Sequence, residues 1–221
     1  MSSGIVLSKG FLLALVCFLG AGTAKSQSVA DVAMATLVQG AVSQVTAQGA
    51  LPLQSFVKLK QGDVLALPRD ARLRVVYFES GRQETWQGGG RLEITRAEGQ
   101  PQGLPSPEIR TLPVAIVKQI SRTPAMDTQG RTGMIRLRSV ATAEDIARLE
   151  DTYKRLRMEA DRGDLNPEIY LLSSMFEIRQ LDRVEQILGD LQKTRGGDPE
   201  AGLLVTLYQK ALKNAREAKA K

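Results

Sequence analysis

A two-residue alternation of apolar and polar side chains across residues 71–77 constrains the fold most strongly. Arg72 and Arg74 interrupt an apolar series, and this is the period of a half-buried β-strand. The apolar face is formed by Ala71, Leu73, Val75 and Tyr77. Val76 and Phe78 break the alternation, so we expect the far end of this strand to be covered on both faces.

Turn signals around this strand predict an all-β region over residues 34–95. One turn is expected at Gly62 and Asp63, and a second at Ser80 and Gly81 leads into a return strand at 82–86. The glycines at 88–90 predict a corner before a further short strand. The region should therefore fold as a set of short strands joined by tight turns.

The order of these segments resembles the FecR domain, a periplasmic all-β module. The family has a Gly-Asp turn followed by an apolar residue, matched here by Gly62, Asp63 and Val64. It then has an alternating strand that runs into an acidic-Gly turn, matched by residues 79–81. The resemblance covers residues 36–95. It implies a FecR-like β-domain over residues 25–96, with structural turns at Gly62, Asp63 and Gly81.

Proline and glycine are frequent in residues 96–113, which predicts a loop or linker there. Two apolar runs rich in β-branched residues follow, at 114–120 and 133–140, and each has the length of a strand. We therefore predict that residues 97–141 form a Pro/Gly-rich excursion with two further strands, which could complete the β-domain.

At Thr142 the hydrophobic period changes from two residues to three or four. Thr142 and Asp145 have capping-box spacing, which predicts the start of a helix. One apolar stripe follows, formed by Ile146, Leu149, Tyr153, Leu156 and Ala160. Gly163 is expected to end this helix, and Pro167 and Pro199 to begin later ones. Residues 142–221 are thus predicted to be an α-helical domain.

An internal repeat supports stacked helical hairpins. Residues 166–176, NPEIYLLSSMF, align without gaps on residues 198–208, DPEAGLLVTLY, at a period of 32 residues. The pattern resembles the tetratricopeptide repeat, with Leu171, Met175, Leu181 and Val184 near the family's core positions. The resemblance implies a helical stack that docks partner proteins.

Residues 1–24 have the order of a secretory signal peptide. Lys9 precedes an apolar run at 11–21, and small residues lead to Ala24, where cleavage is expected; Ala30 is a second candidate site. The run is shorter than the roughly 20 apolar residues of a membrane-spanning helix. We predict a periplasmic or secreted protein with no transmembrane span after cleavage, and an uncleaved anchor is the alternative.

The residue types limit the chemistry. The chain has no histidine, and its one cysteine, Cys17, would leave with the signal. Ser-His-Asp and Cys-His arrangements, thiol nucleophiles and imidazole or thiolate metal sites would then be excluded, which leaves a carboxylate pair or a Ser-Lys dyad. We expect no cofactor, no metal and no enzymatic activity. A hydrolase with paired carboxylates stays open as an alternative, its acids drawn from Asp63, Asp70, Glu79, Glu84 and Glu93.

The positive charge is concentrated in the first half of the chain. Residues 25–141 hold 15 Lys and Arg against 9 Asp and Glu, whereas residues 142–221 hold 14 against 15. This distribution favours an anionic partner such as a cell-wall polymer or lipid headgroups, with a merely solvated surface as the alternative. The candidate binding residues are Arg72, Arg74, Arg82, Trp86 and Arg91. Trp86 could instead cap the β-core, and no nucleic-acid partner is expected because aromatic residues are sparse.

Together these patterns predict an α+β protein in two parts, an N-terminal all-β FecR-like domain followed by an α-helical hairpin stack. The expected role is that of a non-catalytic, exported binding or scaffolding protein. It would act by protein–protein contact in the cell envelope, with envelope signalling as one process that it could serve. The alternative is a module that binds peptidoglycan or another anionic glycan.

Overall fold

The computed structural model describes residues 30–124 and 141–219. The strands in these residues are β1 (Asp31–Gln39), β2 (Ser43–Thr46), β3 (Gly49–Pro52), β4 (Val57–Lys60), β5 (Val64–Leu67), β6 (Arg72–Tyr77), β7 (Arg82–Gln87), β8 (Gly90–Ile94), β9 (Gly99–Gln102) and β10 (Glu108–Thr111). The helices are α1 (Val114–Arg122), α2 (Ala143–Glu159), α3 (Asn166–Glu177), α4 (Leu181–Arg195) and α5 (Pro199–Lys219). The predicted division into an N-terminal β part and a C-terminal helical part is confirmed.

The strands form two antiparallel sheets of five strands each. Sheet I has the order β10-β7-β6-β1-β4, and sheet II has the order β3-β2-β5-β8-β9. The buried faces of the two sheets meet in a common core, to which sheet I contributes Leu73, Val75, Tyr77 and Trp86 and sheet II contributes Leu65, Leu67, Leu92 and Ile94. The alternation predicted for β6 is therefore the alternation between this core and the opposite face of sheet I.

The predicted turns are present. Gly62 and Gly81 both adopt a positive φ, +87° and +68°, which is the left-handed region that glycine enters without steric cost. Asp63 stabilises the first turn by accepting a 2.7 Å hydrogen bond at Oδ2 from the backbone N–H of Lys60. The hairpin that joins β6 to β7 through residues 78–81 is likewise as the sequence indicates.

The β part extends beyond residue 96, where the sequence predicts a linker. β9 pairs with β8 in sheet II, and β10 pairs with β7 in sheet I. Both are edge strands, and an edge strand tolerates a proline such as Pro101 because half of its backbone groups need no partner in the sheet. The Pro/Gly-rich composition of residues 96–113 therefore does not prevent pairing, and the predicted boundary at residue 96 is wrong.

Residues 114–120, predicted as a strand, lie in helix α1 instead. The helix buries Ile116, Val117 and Ile120 on one side and contacts both α3 and β1. The β-branched composition favours a strand, but the spacing of these three residues fits a helical face, and packing against α3 overrides local propensity. The other predicted strand, at 133–140, lies outside the described residues, as does the predicted signal peptide at 1–24.

The helical part begins as predicted. Thr142 Oγ1 accepts the backbone N–H of Asp145, and Asp145 Oδ2 accepts the backbone N–H of Thr142, so both bonds of the capping box are present. Both copies of the internal repeat are helical, since they lie at the starts of α3 and α5. Among residues 30–124 and 141–219, no helix combines the length and hydropathy needed to cross a bilayer.

A second hydrophobic core joins the two parts of the chain. Met34, Phe56 and Val76 come from the β part, and the apolar side of α1 and the buried side chains of α3, α4 and α5 pack into the same cluster. Val76 is fully buried because sheet I is covered by helices at this point, as its break in the alternation predicts. Sheet I thus lies between sheet II and the helices.

Candidate functional site

The predicted binding residues do not form one surface. Arg72 and Arg74 lie on the face of sheet I that is turned to the helices, whereas Arg82 lies on the opposite face, which is turned to sheet II. Arg91 is exposed on the outer side of β8 in sheet II. The predicted basic face across adjacent strands is therefore wrong, because these arginines are divided among three surfaces.

Arg74 is occupied in the contact between the β part and the helices. Its Nη1 lies 3.5 Å from Oδ1 of Asp164, and its Nε donates a 3.4 Å hydrogen bond to Thr85 Oγ1. The Arg74 side chain is only 15% exposed. It holds the segment before α3 against sheet I, and its guanidinium group is not presented to an external ligand.

Trp86 lies in the core between the two sheets and is 1% exposed. Its Nε1 donates a 3.0 Å hydrogen bond to Glu84 Oε2, which satisfies the one polar atom of the ring. A buried indole offers no face to a sugar or to a protein partner. The expectation that Trp86 is a stacking platform is wrong, and its alternative role as a core residue is the observed one.

Glu84 is the polar centre of this core and is fully buried. Its carboxylate accepts hydrogen bonds from Arg82 Nε at 2.5 Å, from Trp86 Nε1 at 3.0 Å and from the backbone N–H of Gly99 at 3.1 Å. Such a set of donors compensates the loss of hydration of a buried charge. Burial, together with the neighbouring carboxylate of Glu84, raises the pKa of Tyr77 above its ordinary value.

From the sequence, Glu84 is expected to be a surface acid, although the strand pattern contains a signal for its burial. Arg82, Glu84 and Trp86 follow the two-residue period of β7, so the three side chains must share one face. If the tryptophan is interior, the acid beside it is interior as well. Two of the other acids considered for a carboxylate pair serve separate interactions: Asp63 accepts a backbone bond in its turn, and Glu79 pairs with Arg96 at 2.9 Å.

A groove in the helical part is a candidate binding site. It lies where α2 and α4 both pack on α3, and its volume is about 360 Å³. Its lining is formed by Glu150, Tyr153, Lys154, Glu168, Leu171, Arg183, Gln186, Ile187, Asp190, Leu191, Thr194 and Arg195. Leu171 and Leu191 are buried and Ile187 is half-buried, which gives the groove an apolar floor.

Charged side chains of both signs surround this floor. Arg183 of α4 donates two hydrogen bonds to Glu150 Oε1 of α2, at 3.0 and 2.5 Å, and so bridges the two helices. Deeper in the groove, Glu168 is bound by Arg157 at 3.0 Å and accepts a 3.4 Å bond from the Tyr153 hydroxyl. Burial and the nearby Glu168 carboxylate raise the pKa of Tyr153 above its ordinary value.

The sequence pattern does not single out the groove, because its floor residues belong to the same apolar stripes as the core. Among the residues that the structure describes, no three His, Cys, Asp or Glu side chains are grouped so that they could hold a metal ion. The arrangement can therefore contribute apolar contact, hydrogen bonds and ion pairs. Comparison of the chain with protein-family models, with curated proteins and with solved structures gives no significant match.

Proposed function

We propose that this protein is a non-catalytic binding protein of the cell envelope, and that the groove between α2 and α4 binds an apolar segment of a partner protein. The observation that carries the proposal is the combination of an apolar floor with a charged rim in a groove of about 360 Å³. Interfaces between proteins have this composition, with an apolar centre that excludes water and a polar rim that fixes orientation.

The charges on the rim favour a protein segment over a charged polymer. Lys154, Arg183 and Arg195 are balanced by Glu150, Glu168 and Asp190, so the groove has no net charge. An anionic glycan would be held by an excess of one sign. A peptide segment can present apolar side chains to Ile187 and Leu171 and polar groups of either sign to the rim, and this matches the chemistry of the lining.

The proposal also includes export of the protein and the resemblance of its two parts to the FecR domain and to the tetratricopeptide repeat. The signal-peptide pattern of residues 1–24 supports export, and the lack of histidine supports a role without acid–base catalysis. The turns at Gly62 and Gly81 support a FecR-like β-domain, and the repeated helix starts at α3 and α5 support a tetratricopeptide-like stack. On this proposal the β part supports the helical groove against which the partner docks.

Site-specific photocrosslinking in intact cells tests the proposal. A crosslinking residue placed at Gln186, on the exposed rim of the groove, should give a discrete covalent product with a partner protein. Adding Ile187→Lys puts a charge on the apolar floor and should abolish that product. The matched control is Val114→Lys, because Val114 is an apolar residue that is 83% exposed on α1 and is not part of the groove.

Circular dichroism and the midpoint of urea unfolding should show that both lysine variants are folded. Equal crosslinking in the wild type, in Ile187→Lys and in Val114→Lys would contradict the proposal. So would a wild-type product that contains glycan and no protein.

A further inference from the structure

β3 is an exposed edge strand of sheet II. In the part of the chain that the structure describes, its one neighbour in the sheet is β2, and all four of its residues are exposed. Two apolar side chains lie open at this edge: Leu51 is 43% exposed and Val45, on the adjacent β2, is 39% exposed. An open edge of this kind is a template for pairing with another strand.

The backbone of β3 presents one residue with both of its polar groups outward. The N–H of Leu53 bonds to the carbonyl of Val42 at 2.9 Å, and antiparallel bonding alternates along the strand. Leu51 therefore also bonds toward β2, whereas Ala50 and Pro52 face away. Because proline has no N–H, Ala50 is the residue of β3 that can both donate and accept a bond with an added strand.

Charge distinguishes β3 from the edges of sheet I. β4 carries Lys58 and Lys60, and β10 carries Glu108 and Arg110; such charges discourage strand pairing. The sequence has no Asp, Glu, Lys or Arg between Asp31 and Lys58, so β3 and its flanking turns are free of charge. β9, the other edge of sheet II, is also uncharged, but its Pro101 is an interior residue of the strand, whereas Pro52 is the last residue of β3.

We propose that β3 pairs antiparallel with β3 of a second copy of this chain. A twofold axis at Ala50 lets the two alanines exchange N–H···O bonds, as in a hydrogen-bonded pair of an ordinary antiparallel ladder. Leu51 then lies opposite Gly49 of the other copy, and a Cβ placed on Gly49 has no atom within 4 Å in the free chain. The Leu51 side chain of each copy thus lies opposite the unobstructed Gly49 of the other copy, and the twofold axis produces this contact two times.

The absence of charge is what favours a second copy over an unlike partner. An edge that selects a different protein needs side chains that discriminate, such as ions of complementary sign. Residues 30–124 hold 11 Lys and Arg against 8 Asp and Glu, so this part of the chain carries a net positive charge and two copies of it repel each other. The uncharged edge is the place where the copies approach at least electrostatic cost, and antiparallel pairing makes one strand its own complement.

Disulfide trapping tests the geometry directly. In a Cys17→Ser background, Ala50→Cys should form an intermolecular disulfide under mild oxidation, because hydrogen-bonded antiparallel pairs have Cα atoms about 5.5 Å apart, within disulfide range. The matched control is Ile109→Cys on β10, an edge residue that is 47% exposed, and it should stay largely monomeric under the same oxidant.

Sedimentation velocity on the full chain tests the association without crosslinking. The wild type should shift from monomer to dimer across roughly 10 µM to 1 mM, since a short strand pair forms a small and weak interface. Leu51→Lys should reduce the dimer fraction at least tenfold, whereas Ile109→Lys should leave it unchanged.

Each of the other outcomes overturns the proposal. A wild type that stays monomeric to 1 mM shows that the edge does not pair with itself, and it leaves the edge to a strand from another protein. Equal crosslinking of the two cysteine variants, or a dimer that is lost in Ile109→Lys and kept in Leu51→Lys, places the contact elsewhere. The groove proposal is tested independently, since its crosslinking product is measured at Gln186.

Discussion

Asn166 Nδ2 donates a 2.7 Å hydrogen bond to Gln83 Oε1, and both residues are buried where the start of α3 meets β7. Asp164 extends this contact: its Oδ1 accepts the backbone N–H of Asn166 at 3.0 Å and lies 3.5 Å from Arg74 Nη1. The junction between the β part and the helices is therefore polar on this side, whereas Met34 and Val76 make it apolar elsewhere.

Asn166→Ala should reduce the free energy of unfolding by about 1–3 kcal/mol, because it leaves the buried Gln83 oxygen without a donor. Urea denaturation followed by far-ultraviolet circular dichroism measures the effect. Gln192→Ala, an exposed position on α4, is the control and should change stability by less than about 0.5 kcal/mol. Equal stability of the two variants would show that the hydrogen bond contributes nothing.

Glu84→Ala should destabilise the protein by about 3–5 kcal/mol, because it removes the acceptor of three hydrogen bonds and leaves Arg82 without its buried partner. Glu84→Gln keeps the shape and one acceptor oxygen and should cost less. The control is Glu79→Ala, which breaks an ion pair with Arg96 whose side chains are both more than half exposed. That change should cost under about 1 kcal/mol in the same urea titration. The idea fails if Glu84→Ala and Glu79→Ala unfold at the same midpoint.

Two glycines should respond oppositely to replacement by alanine. A Cβ on Gly88 would lie 1.6 Å from the carbonyl oxygen of Pro68, so Gly88→Ala should cost about 3 kcal/mol through backbone displacement. Gly202 lies in α5 with no atom within 4 Å of a new Cβ, so Gly202→Ala should add about 0.5–1 kcal/mol. Thermal unfolding of both variants gives the two signs, and a stabilised Gly88→Ala would refute the close approach.

Stability should decrease above about pH 10 in a way that depends on Tyr208. Burial raises the pKa of Tyr208 above its ordinary value of 10.0. The folded state therefore retains the phenolic proton when the unfolded state has lost it. This contribution to stability is complete below the unfolded pKa and is lost as the pH rises above it.

Urea unfolding of the wild type and of Tyr208→Phe at about pH 8 and about pH 11 measures this effect. The variant should lose about 1 kcal/mol at the lower pH, because the 2.5 Å bond between Ser173 Oγ and the Tyr208 hydroxyl is removed. It should then lose less than the wild type on going to the higher pH. The other groups that titrate in this pH range are the same in both proteins, so an identical decrease in both would contradict the prediction for Tyr208.

The parts of the fold that the sequence predicts well are those in which local pattern and final packing agree. β6 alternates because one face meets sheet II, and α2 begins at Thr142 because its capping box is completed within four residues. The turn at Gly62 is likewise a local requirement for a positive φ. These features need no information from distant parts of the chain.

The features that the sequence does not predict depend on distant contacts. α1 is helical because Ile116 and Ile120 pack in the core with α3, which lies about fifty residues further along the chain. The local β-branched content of this segment indicates a strand instead. β10 is a strand because β7 offers it an edge. The groove between α2 and α4 exists only after three helices have packed. In the sequence, its lining residues therefore have the pattern of ordinary surface and core positions.

The hydrophobic period of the sequence changes at residue 142, but the core shared by the β part and the helices means that this position does not separate two independently folding units. A fragment that ended at residue 124 would leave Ile116 and Ile120 in water, and one that began at residue 141 would uncover Ile169 and Leu172. Neither half could then be exchanged by recombination with an unrelated partner module. The β part and the helical part would have to be duplicated or transferred together to keep their shared core intact.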